Sequence, residues 1–84
     1  MSVVDLNVPD GMLLHLLAHE INPNPTKRDE LVRAVAVYRQ AVGGMVWMRG
    51  HVCGGDLVPD CAGGWCFEAQ VTVDAIRANL AGAR

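Results

Sequence analysis

Four side chains of the types that bind zinc, His51, Cys53, Cys61 and Cys66, stand within sixteen residues of one another. Zinc takes four soft or borderline ligands in a tetrahedron, and imidazole with thiolate is a common set. The spacing is His-x-Cys, then seven residues, then Cys-x4-Cys. The tight Cys-x2-Cys knuckle, whose backbone amides support the sulfurs, is absent. Glycines throughout this stretch would let the chain fold around an ion, and would equally serve as turns. The plainer readings are small buried thiols and a Cys53–Cys66 disulfide, which needs an oxidising compartment. With three cysteines, a disulfide would also leave one thiol over.

His15 and His19 are four residues apart, the histidine spacing of the zincin metalloproteases. Leu16 occupies the position where those enzymes carry the catalytic glutamate, and in the inverted form of the motif Ala18 does. Without a general base, hydrolytic metal chemistry has no support. Two histidines on the wet side of an amphipathic helix account for the pattern.

A cysteine nucleophile fares no better. Cys53 with His51, and Asp56 or Asp60 as an orienting third group, would require a contact in space that proximity in sequence does not supply. Gly54-Gly55 and Gly63-Gly64 lack the Lys-Ser/Thr that completes a phosphate loop. The residues therefore point away from an enzyme. They point towards a surface: Val37 on a polar strip, Arg39 beside it, Met45 and Met48 around Trp47, and Trp65 after two glycines. Tryptophan and methionine are enriched at interface centres, although a thin core also wants its tryptophans inside.

Three segments carry the signals of helices that would position these groups. The first runs from about Asp10, a capping residue, to Ile21, with Leu13, Leu16 and Leu17 on one face. It stops at Asn22-Pro23-Asn24-Pro25. The second starts at Thr26, with Asp29 three residues on as in a capping box. Leu31, Ala34, Val35, Tyr38, Ala41 and Val42 then follow at helical spacing, and Gly43-Gly44 closes it. The third runs from about Val73 to Ala81, capped by Thr72, with Val73, Ile76 and Leu80 inward.

Between the second and third, Trp65, Phe67, Ala69 and Val71 alternate with Cys66, Glu68 and Gln70, the period of a half-buried strand. Met45 to Val52 is its natural partner, with Trp47 and Phe67 packing across the pair. Cys53 to Gly64 is a loop too long for a tight hairpin. The expected fold is α+β: two N-terminal helices, a Gly-rich loop-bearing β-hairpin and a short C-terminal helix. The alternative is an all-α domain in which Met45 to Arg49 form a helical turn.

The totals bound the function. Eighty-four residues, 51% hydrophobic and 19% charged, make one small globular domain over residues 1–84. A chain this short buries about 60–65% of its unfolded surface, which leaves little room for a deep substrate pocket. The net charge is −2, with Lys27-Arg28 the only adjacent basic pair. Nucleic-acid binding, which needs clustered cations to displace counterions, is disfavoured. The longest apolar runs fall short of a membrane helix, and the start Met1-Ser2-Val3-Val4-Asp5 has no basic, apolar leader, so the expected setting is the cytoplasm.

The expectation is a small non-catalytic protein-binding protein. It would be an adaptor, or an inhibitor of the kind phages and mobile elements direct against host machinery. It would dock on a larger protein through Val37, Arg39, Trp47 and Trp65, with no cofactor. A zinc-stabilised module held by His51, Cys53, Cys61 and Cys66 is the second reading. A helix apolar on most of its circumference would also suit a homodimer.

Overall fold

The computed structural model describes residues 2–24, 27–53 and 64–84. It is mostly β. Among the described residues seven strands precede one α-helix: β1 (Ser2–Val3), β2 (Leu13–Leu16), β3 (Ile21–Asn22), β4 (Glu30–Val37), β5 (Gln40–Ala41), β6 (Met45–Val52), β7 (Phe67–Thr72) and α1 (Val73–Leu80). Five of them form an antiparallel sheet in the order β2-β4-β6-β7-β3, and β1 pairs with β5 in a separate ribbon.

Neither N-terminal helix exists, so both the α+β arrangement and the all-α alternative are overturned. The segment expected as the first helix is β2 followed by a 3-10 turn, Ala18–Glu20, and β3. Asp10 is not a cap but part of a turn with Gly11, whose φ of 78° is unfavourable for most residues. The segment expected as the second helix is β4 and β5. Thr26 lies outside the described residues, and the Asp29 carboxylate accepts from the Ala18 amide rather than closing a capping box.

Gly43-Gly44 is not a helix stop. Both residues have positive φ, and Val42 and Met45 exchange backbone hydrogen bonds across them. That is the two-residue hairpin turn whose twist suits a β-ribbon. The physical reason for the misreading is that Leu31 to Val42 is apolar at nearly every spacing. It contains three valines in β4 alone, whose branched side chains favour a pleated surface.

The hairpin and the last helix are where the sequence places them. β6 pairs antiparallel with β7 over Met45–Gly50 and Phe67–Thr72. Thr72 caps α1 by accepting the Ala75 amide at 3.1 Å. The helix buries Val73, Ala75, Ile76 and Asn79, while Leu80 is exposed. Trp47 lies opposite Gln70, and Phe67 opposite Gly50, so the two aromatic residues occupy opposite faces and do not pack across the pair.

The sheet is curled into a half-barrel, and chain length requires it. β2 and β3 are opposite edges of the five-stranded order, yet only Leu17–Glu20 join them. In a flat sheet the edges would be about 19 Å apart. Five residue steps reach at most about 17 Å fully extended, and a 3-10 turn shortens that further. A break in register between Ala34 and Ala36, where β4 runs against β6, supplies part of the bend. Gly50 supplies another part: a Cβ there would lie 2.5 Å from the Arg33 carbonyl oxygen and 2.7 Å from Val32 Cγ1.

The concave side holds an aliphatic core. Leu14, Leu16, Val32, Val46, Met48, Val71 and Ile76 are its largest fully buried side chains. Along β6 the alternation is clean, with Val46, Met48 and Gly50 inside and Trp47 outside.

The open edge is closed by polar groups. Asn79, buried on α1, accepts the His15 amide through Oδ1 and donates Nδ2 to the carbonyls of His15 and Ala75. A side-chain amide thus takes the place of a further strand beside β2. Next to it Arg84 grips the buried Glu20 through both carboxylate oxygens, and Glu20 also accepts the Leu17 amide at 2.8 Å. The Arg84 guanidinium holds the Glu20 carboxyl below its ordinary value of 4.5.

Two outcomes follow from this packing. Gly50→Ala should lose about 1–3 kcal/mol in urea unfolding, because the new methyl meets backbone rather than a yielding side-chain tip. Glu20→Gln should be less stable than the parent above pH 4.5, since a carboxyl with a depressed folded-state pKa stabilises only while ionised. The two proteins should converge as pH falls through the folded-state value, and unfolding curves at stepped pH would show it.

Candidate functional site

The convex side of the sheet is where chemistry-bearing residues collect. Strand alternation sends Trp47, Arg49 and His51 of β6 to this side. Across the register come Arg33 and Ala36 from β4, and Glu68, Gln70 and Thr72 from β7. Tyr38, just past β4, donates its backbone N–H to the Trp47 carbonyl at 2.9 Å, which sets the two residues side by side. Trp65 precedes β7 and stands 45% exposed, with Trp47 at 46% and Tyr38 at 45%.

Arg49 organises this face. Its Nε donates to Glu68 Oε2 at 2.5 Å, directly across the strand pair. Its guanidinium carbon lies 4.2 Å from the Trp65 ring centre and 5.8 Å from that of Tyr38. A guanidinium between two aromatic faces is attracted by both ring quadrupoles and restrains the rings in turn. Tyr38, Gln40, Val42, Trp47, Arg49 and Glu68 line an open cavity of about 470 Å³.

The expected partner-binding residues divide. Trp47 and Trp65 are both on this exposed face, and the core holds no tryptophan. Val37 is half-buried opposite Met48 and packs against the core. Arg39 is exposed at the turn between β4 and β5, where its carbonyl accepts from Val4. Met48, considered for the surface, is fully buried. Sequence reasoning missed Tyr38 and Arg49. The available signal was the period of two along Trp47, Arg49 and His51, which puts an aromatic residue and a cation on one strand face.

The proposed zinc ligands are only partly in view. His51 and Cys53 lie two residues apart at the end of β6. Cys66 is brought there too, its Sγ accepting the Val52 amide at 3.2 Å. Cys53 is half-buried and its amide bonds to Leu31. Cys61, Asp56 and Asp60 lie outside the described residues. Among the described residues no group of three or more His, Cys, Asp or Glu is arranged to hold a metal ion. Cys53 and Cys66 are free thiols. His15, exposed on β2, and His19, exposed in the 3-10 turn, share no helix face.

Comparison of the chain with protein-family models, with curated proteins and with solved structures finds no match.

Thiol exposure gives a direct check of this region. Native protein treated with iodoacetamide should be alkylated at Cys66 before Cys53, since access governs the order when both are thiols. Peptide mass mapping of a time course reads the order.

Proposed function

We propose that this chain is a small non-catalytic binding protein, an adaptor or inhibitor that docks on a larger protein through its convex sheet face. The observation that carries the reading is the exposure of Tyr38, Trp47 and Trp65 on one face, with Arg49, paired to Glu68, stacked on the Tyr38 and Trp65 rings. Burial of an aromatic side chain is among the largest stabilising terms open to a chain this small. The core is nevertheless aliphatic, and three of the chain's four aromatic residues stand about half exposed. Rigid rings with few rotatable bonds lose little entropy on binding, and residues of this kind dominate interface energetics. A partner covering this face would bury the rings and desolvate an ion pair already formed, so no new charge need be left unmatched.

Affinity capture with the wild-type chain, followed by the same capture with Trp47→Ala and Trp65→Ala, tests the proposal. Each substitution should weaken retention of the captured protein about tenfold or more, with unfolding free energy changed by no more than about 1 kcal/mol. Retention unchanged in both variants would remove this face from the interaction.

A further inference from the structure

We infer that the segment this face receives is an extended, proline-containing stretch of the partner in the polyproline II conformation, seated against Tyr38 and Trp47. The inference rests on the docking reading above and specifies its ligand.

Three observations converge on this chemistry. The first is shape and composition: two neighbouring ring systems, the methyls of Val42 and the stem of Arg49 border a shallow open cavity rather than a deep pocket. Proline rings are flat, apolar and already restricted, so they stack on aromatic faces at small entropic cost.

The second is the set of donors. Tyr38, Trp47 and Gln40, which carry a hydroxyl, an indole N–H and a side-chain amide, all line the cavity. A polyproline II backbone makes no internal hydrogen bonds, and its carbonyls project outward as acceptors. The donors on the protein and the acceptors on the ligand are complementary.

The third is charge. The cation at the centre of the face is neutralised by Glu68 and stacked on Trp65. A polyanion such as single-stranded nucleic acid would find its phosphates unmatched there. An ammonium ligand would find the space between Tyr38 and Trp65 taken by Arg49. An uncharged, proline-rich stretch meets neither obstacle. Strand addition at β2 is disfavoured as well, because the outward amide and carbonyl of His15 are held by Asn79.

The test is a titration of the full, isotope-labelled chain with a decaproline peptide to millimolar concentration, followed by NMR. The two indole N–H signals report the two tryptophans separately. The Trp47 signal should shift and saturate, whereas a glycine–serine decapeptide should leave it in place. Tyr38→Phe keeps the ring and removes only the donor, so it does not threaten folding. It should raise the decaproline dissociation constant about fivefold, the worth of one hydrogen bond, and Trp47→Phe should raise it at least as much. The inference is overturned by the absence of a saturable shift, by an equal response to the glycine–serine peptide, or by tighter binding of oligothymidine to the same signals. A silent decaproline titration together with capture that depends on Trp47 and Trp65 overturns the proline reading and leaves the docking reading standing. Capture that ignores both tryptophans overturns the docking reading itself.

Discussion

The link Leu17–Glu20 is the constraint from which the rest of this structure follows. It ties together two strands that the pairing order puts at opposite edges of the sheet. The sheet can satisfy it only by bending, and bending divides the residues into a small concave interior and a broad convex exterior. The interior is narrow, so it is filled by leucine, valine, alanine, isoleucine and one methionine rather than by large rings. Gly50 and the register break in β4 make the bend possible. Glu20 in the link and Arg84 near the end of the chain then clamp it, with Asn79 serving the backbone groups that a barrel with one more strand would have paired.

This geometry also explains why tryptophan is on the surface of a protein with so little core to spare. The described interior is filled by aliphatic side chains, among them Leu14, Leu16, Val32, Val46, Met48, Val71 and Ile76, and both indoles lie outside it. The alternation along β6 therefore sends Trp47 outward with Arg49, and Trp65 closes over the guanidinium from the approach to β7. The ion pair with Glu68 lies across a non-edge strand pair and is partly exposed, so its contribution to stability is small. Its structural effect is to fix the guanidinium that lies over the Tyr38 and Trp65 rings. The resulting face is organised by contacts within the chain itself, and such preorganisation would lower the entropy lost in the docking proposed above.

The local signals that survived are those whose physics is local. Thr72 caps α1 because a threonine oxygen can reach the amide three residues on, whatever the remainder of the chain does. The strand period from Phe67 to Val71 is clean because one face is buried and the other wet, and its pairing with Met45–Gly50 follows from proximity in sequence. The first half of the chain lacked such clarity. Leu13–Leu16 is only four residues, too few to separate a period of 2 from one of 3.6. In Glu30–Val37, alanine and valine occupy both sides, so the pattern fits a helix apolar on most of its circumference or a strand packed centrally in a sheet. Three glycines decide the matter: Gly11 falls inside the expected first helix, and Gly43-Gly44 matches a hairpin turn at least as well as a helix end.

For the candidate site, the sequence by itself determined the chemical inventory and the face-sharing of Trp47 with Arg49, because side chains two apart on a strand must point the same way. It also determined the mild net charge of the chain, −2. Only the tertiary structure decided that Tyr38 and Trp65 join them, that Val37 turns inward, and that the core is closed to the indoles. Those outcomes depend on pairing between residues far apart in the chain and on the curvature that a short link imposes. Neither is encoded in the composition or periodicity of any one segment.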